Sequence, residues 1–215
     1  MSAQFTPVWK PALLGLDLAG SPRPPSTHSA DPSDWQRWRA DWHRSLNLSP
    51  LEGPTGLCIP LEEISDPALL DTIIDAASGG DGTCASLEDA GIALLIDGQL
   101  VAQPNCCVDL AESNASWSDF VGRQPSAWQM IWNGHPWVMG RVVGRRAEFS
   151  VQSEEPKPHP VASTIADTLP IELSRSHEVL ADLADRLTTR LAAHGDNDPV
   201  GNAHLIVGIE PPSRS

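Results

Sequence analysis

The chain reads as an α+β protein with a mainly antiparallel sheet built from two hairpins and packed with three to four helices. Three observations predict this. Apolar residues recur at three- and four-residue spacing in several stretches, as in helices with one buried face. Two other stretches carry apolar runs on either side of short Gly-containing turns, as in hairpins. Strict strand–helix–strand alternation, which a doubly wound parallel sheet requires, is missing.

Residues 1–32 are set apart as an N-terminal segment with a Pro-rich connector, Gly20-Ser-Pro-Arg-Pro-Pro-Ser26. Residues 33–210 are read as a single α+β domain. Asp31-Pro32-Ser33-Asp34 opens a helix in which Trp35, Trp38, Trp42 and Leu46 share one face. Gln36, Arg37, Arg39, Asp41 and Arg44 take the other. A Trp stripe of this kind docks a helix on a core, or anchors a partner. Residues 57–61 suit a short strand. Ser65 or Asp66 caps the next helix, Pro67 sits at its first position, and Leu69, Leu70, Ile73, Ile74 and Ala77 form its apolar face. Gly79-Gly80 ends it.

Residues 92–96, Asp97-Gly98 and residues 99–103 form a hairpin with a type I′ turn signal. An irregular connection over 104–115 follows, then a helix capped by Ser116 that carries Trp117 and Phe120. Pro125 restarts a helical turn bearing Trp128 and Trp132, and Asn133-Gly-His-Pro136 is a turn. Residues 137–143 and 147–153 make the second hairpin around Gly144-Arg145-Arg146, before a Glu/Pro/Lys linker to about residue 160. Ser174 or Ser176 starts a last long helix with Leu180, Leu183, Ala184, Leu187 and Leu191 inward, an Asp182–Arg186 pair outward, and Gly195 as its stop. Residues 204–209 suit a terminal strand.

The formal charge of −14 is unevenly spread. Between Arg44 and Arg123 lie 78 residues with no Lys, Arg or His and with thirteen acids. The rest of the chain holds fourteen bases against fifteen acids, so it is nearly neutral. A stretch this acidic repels phosphate backbones, which argues against nucleic-acid binding. It attracts basic protein surfaces instead. No apolar run approaches the roughly 18–20 residues that span a bilayer. With four Cys and no disulfide-scaffold spacing, the expected setting is the cytoplasm.

Enzyme motifs fail on inspection. Ser78-Gly-Gly-Asp-Gly-Thr-Cys84 lacks the Lys of a phosphate loop and the alternating acids of a calcium loop. No Gly-x-Ser-x-Gly, His-Glu-x-x-His or Cys-x-x-Cys is present, and no cofactor is expected. Two constellations carry the alternatives. Cys106 and Cys107 with Cys84 or His135 are zinc-ligand types, but adjacent cysteines share one tetrahedral ion poorly, so no metal is expected. Cys107, His135 and Asp109 supply the residue types of a hydrolase or thiol enzyme. A scaffold subunit is the third reading. Four Trp fall within the 21 residues from Trp117 to Trp137, and suit an aromatic cluster fixing the second hairpin to the helices.

The first hairpin, Pro104-Asn-Cys-Cys-Val-Asp-Leu110, the Trp-bearing helix and Trp132-Asn-Gly-His-Pro-Trp137 together resemble a group of uncharacterised bacterial proteins. Some of these look like immunity proteins of polymorphic toxin systems. The resemblance covers residues 92–152 and carries no catalytic residues. It implies a small cytoplasmic protein that binds and neutralises a toxin. Inhibitors of nucleases are often acidic, because the toxin's nucleic-acid site is basic. The expected contacts to a basic partner are Asp81, Glu88, Asp89, Asp109, Glu112 and Asp119, with Trp117 or the Trp35 helix as aromatic anchors.

Overall fold

The computed structural model describes residues 2–10, 31–45, 47–53, 56–79, 83–105, 107–155 and 157–211. Strands β1 (Ala3–Trp9), β2 (Leu51–Gly53), β3 (Gly56–Pro60), β4 (Ala90–Ile96) and β5 (Gln99–Ala102) form one sheet in the order β2-β3-β1-β4-β5. Strands β6 (Gln129–Ile131), β7 (Val138–Val143), β8 (Arg146–Phe149) and β9 (Ala162–Ile165) form a second in sequence order. Every strand pairing is antiparallel. The helices are α1 (Pro32–Ser45), α2 (Pro67–Ala77), α3 (Leu110–Arg123), α4 (Leu169–Ala193) and α5 (Pro199–Val207). The α+β class with antiparallel sheets is therefore the observed one, and each expected hairpin belongs to a different sheet.

Several elements follow directly from local chemistry. Asp97 and Gly98 both have positive φ, 50° and 77°, which is the I′ turn of the first hairpin. The Asp66 carboxylate accepts from Ala68 N at 2.8 Å and caps α2, with Pro67 next. Leu180, Leu183, Ala184, Leu187 and Leu191 of α4 are all buried. Trp38 of α1 is buried too, whereas the side chains of Trp35 and Trp42, and Leu46 itself, lie outside the described residues.

Four expectations need correction. Helix α3 starts at Leu110, capped by Asp109, whose carboxylate accepts from Glu112 N at 2.8 Å; Ser116 lies inside it and holds Trp132 N at 2.7 Å. The stretch after Pro125 is strand β6, because Gln129–Ile131 pairs with β7. Helix α4 begins at Leu169, with Pro170 in its first turn, so Ser174 and Ser176 are interior. The expected terminal strand is helix α5. Asp198 caps it through Gly201 N, Ala203, Ile206 and Val207 are buried at helical spacing, and Gly208 at φ +67° stops it.

Strand β1 falls in the terminal segment that the sequence set apart, yet it is the middle strand of the five. Its interior Pro7 is unusual for a central strand. The ladder explains why it is tolerated. Asp97 N donates to Ser2 O at 2.9 Å and Lys10 N to Asp89 O at 2.8 Å, at the two ends of the β1–β4 register. Backbone groups alternate sides along a strand, so the even-numbered residues bond β4 and the odd-numbered ones face away. Pro7 therefore sacrifices no β4 bond. On its other side β3 pairs only with Val8 and Trp9.

Ile92, opposite Pro7, turns its N–H and C=O away from β1. Strand β5 ends at Ala102, opposite Leu94, and leaves them without a strand partner. Side chains replace it. Ser113 Oγ accepts from Ile92 N at 2.8 Å, while Trp117 Nε1 and Asn133 Nδ2 donate to Ile92 O at 3.1 and 3.0 Å. Ser113 Oγ also donates to Asn133 Oδ1 at 2.6 Å. A Cβ at Gly91 would lie 2.6 Å from Ser113 Oγ, so only Gly admits α3 this close to β4. Trp117 is fully buried, its ring 5.1 Å from Phe5 of the first sheet and 6.1 Å from Phe149 of the second.

Replacing Ser113 by Ala strands two buried groups, Ile92 N–H and Asn133 Oδ1. The expected loss of unfolding free energy is about 2–4 kcal/mol. Ser174→Ala, on the exposed side of α4, should change it by less than about 0.5 kcal/mol. Urea unfolding of the two variants measures both.

Candidate functional site: an acidic concavity

Folding redistributes the charge of the basic-free stretch. Helix α4 brings Arg190 to Asp71 of α2, where Nε donates to Oδ1 at 2.9 Å and Nη2 to Oδ2, while His194 Nε2 lies 3.0 Å from Oδ1. The Arg190 hydrogen bonds, and then His194, hold the Asp71 carboxyl below the usual carboxylate range. Asp119 pairs with Arg123 at 2.7 Å and accepts from Gln129 at 3.2 Å. Glu63 accepts from Ser49 N at 2.6 Å, and Asp97 from Ser2 N at 2.7 Å. These acids have structural work.

Glu88, Asp89, Asp109 and Glu112 have a different setting. With Cys107 and Val108 they line one concavity of ≈260 Å³. Two short segments build it. Asp89 N donates to Val108 O at 3.1 Å and Leu110 N to Leu87 O at 3.0 Å, which lays the entry to β4 beside the entry to α3. Asp109 and Glu112 stand at the positive end of the α3 dipole, which stabilises both charges. Asp89 and Cys107 hold left-handed backbone, at φ 52° and 65°. For a non-Gly residue that conformation costs about 1–2 kcal/mol. Neither residue belongs to a hairpin turn or a helix end. Among the described residues, no cation stands within ion-pair distance of the four carboxylates. Lys10, whose backbone adjoins Asp89, directs its Nζ to Asn105 Oδ1 at 3.0 Å.

Of the seven contact residues expected from sequence, the fold thus brings four together. Asp81 lies outside the described residues. Asp119 is ten residues along α3 from Asp109, about 15 Å away at the helical rise, and already paired. Trp117 is fully buried and is no surface anchor; it ties the two sheets together instead. Cys107 is exposed at the concavity, and Cys106 is outside the described residues. His135 stacks 4.2 Å from the Trp137 ring and edge-on to Trp132 at 5.5 Å, with Nδ1 3.4 Å from Glu154. Trp132 Nε1 reaches Glu112 Oε2 at 3.3 Å, so the Trp cluster borders the acidic site. Cys58, by contrast, is buried, and desolvation pushes its thiol up to about 11.

Sequence reasoning missed Ser113 and Asn133, the pair that fixes α3 against β4. From sequence Asn133 reads only as a turn residue. Their signal was faint, since a buried Ser or Asn has no distinctive spacing. Among the described residues, no three His, Cys, Asp or Glu side chains are grouped to hold a metal ion. No described helix is long and apolar enough to cross a membrane. Compared with family models, curated proteins and solved structures, the chain matches none.

The Asp71 clamp makes a pH-dependent prediction. A depressed carboxyl contributes stability above its unfolded value, near ~3.9, and loses it as pH falls through the folded value. Asp71→Asn should therefore lower Tm at neutral pH, and the gap to wild type should close below about pH 4. Thermal melts from neutral pH downward test this.

Proposed function

We propose that the chain is an immunity-like or regulatory binding protein, which presents the Glu88–Asp89–Asp109–Glu112 concavity to a basic surface of a protein partner such as a toxin domain. One observation carries the reading. Four carboxylates line one recess and, among the described residues, none of them is in an ion pair, whereas Asp71 and Asp119 of the same stretch are. The two entry segments fix the backbone beneath these side chains, so a Lys or Arg entering the recess orders little that is not already ordered. Such a field speeds encounter with a basic partner by ~10–1,000-fold at low salt. It also repels nucleic acid. The resemblance over residues 92–152 supports the same reading, since it includes Asp109 and Glu112.

The test is capture of a partner from the source cells with the immobilised chain, followed by association kinetics. The rate constant should fall at least tenfold between low and high salt. Glu88→Lys with Asp89→Lys should lower it by a similar factor at low salt and leave Tm nearly unchanged. An association rate indifferent to both salt and the double substitution contradicts the proposal.

A further inference from the structure

We infer that the cavity lined by the β4–β5 hairpin and by strands β8 and β9 is a binding site for a small organic monocarboxylate, held by Arg146. It shares no residue with the acidic concavity, and the inference does not rest on that site.

The ion pairs single out Arg146. In so acidic a chain a guanidinium readily finds a carboxylate, and eight of the nine described arginine side chains lie within ion-pair distance of one. Arg146 is the ninth, and among the described residues no acid pairs with it. Its Nη2 donates to Ser163 Oγ at 2.5 Å, which orients the group, while its Nε and Nη1 have no hydrogen-bond partner among the described residues. Arg146 and Ser163 both line a cavity of ≈500 Å³. That is within the range of small-molecule sites, about 300–1,000 Å³.

Two acids line the same cavity, and both are engaged elsewhere. Glu148 Oε2 accepts from Arg141 Nε at 2.9 Å and from Arg141 Nη2 at 2.7 Å. Asp97 Oδ1 accepts from Ser2 N at 2.7 Å. Neither compensates Arg146. A guanidinium presents its N–H groups as a planar fork that matches the two oxygens of a carboxylate.

The rest of the lining sets the body of the ligand and the size of its charge. Val101, Pro160 and Val161 line the cavity, and Val161 is 59% exposed, so its apolar surface is still open to water. A short hydrocarbon body would cover that surface, which is favourable. The nearby Asp97 and Glu148, and the net charge of −14, oppose a dianion more strongly than a monoanion. A carboxylate is therefore preferred to a phosphate monoester.

Methyl NMR of the full chain, titrated with sodium hexanoate at constant ionic strength, tests this. The Val101 and Val161 methyl signals should shift and saturate at millimolar hexanoate. Hexanol, which keeps the body and lacks the charge, should bind about tenfold more weakly or worse. Hexyl phosphate, a dianion at about pH 8, should also bind more weakly than hexanoate. Arg146→Gln should weaken hexanoate binding about tenfold or more. Arg145→Gln, which removes a neighbouring arginine paired with Asp167 outside the cavity, should leave it unchanged. Val161→Asp, at an exposed position, should weaken it as Arg146→Gln does, which keeps the test decisive if Arg146→Gln fails to fold. Four results would overturn the inference: no saturable shift at Val101 and Val161, hexanol or hexyl phosphate binding as tightly as hexanoate, wild-type binding by folded Arg146→Gln, or wild-type binding by Val161→Asp.

Discussion

The N–H and C=O of Ile92 leave the β4 ladder on the side where β5 has already turned away, and three side chains take them. Ser113 and Trp117 come from α3, and Asn133 from the turn between β6 and β7. The backbone of one residue therefore joins the first sheet, a helix and the turn that leads into the second sheet. An unpaired buried amide costs about 1–3 kcal/mol, so α3 and the 133 turn are held in one place. The glycine at position 91 and the fully buried Trp117 follow from that closeness. So does the acidic concavity, because it forms where the start of α3 is drawn against the segment entering β4.

Much of the fold was legible because local chemistry decided it. The Asp97-Gly98 turn, the Asp66–Pro67 helix start and the inward leucines of α4 are each settled within a few residues. Elements decided by distant partners were not. Strand β1 reads poorly because Pro7 interrupts it, and only the absence of β3 beside Pro7 makes the proline tolerable. Residues 204–207 carry an apolar run that suits strand or helix alike; the Asp198 cap and Pro199 decide for helix. The misplaced α3 start has the same origin, since Asp109 and Ser116 are both good caps and the pairing of 87–89 with 108–110 chooses between them.

The candidate site was half legible. Sequence could show that acids without bases fill one stretch, but not which of them a distant Arg would reach. Arg190 is 119 residues from Asp71 and neutralises it. Asp119 finds Arg123 one turn away, and Trp117 goes inward because a Trp at helical spacing is the natural wedge between a helix and two sheets. What remains is Glu88, Asp89, Asp109 and Glu112, gathered from two segments twenty residues apart. Asp109 and Glu112 also stabilise the helix end, which leaves Glu88 and Asp89 as the two of the four whose carboxylates have no hydrogen bond or ion pair among the described residues.

Those two residues are where a basic partner is expected to touch. Zero-length carbodiimide cross-linking of the chain to its captured partner, read by peptide mass spectrometry, reports which carboxylates meet lysines. Cross-links from Glu88, Asp89 and Glu112 to partner lysines are expected, and are lost at high salt. Cross-links confined to the exposed acids of α4, such as Glu178 and Asp185, would contradict it.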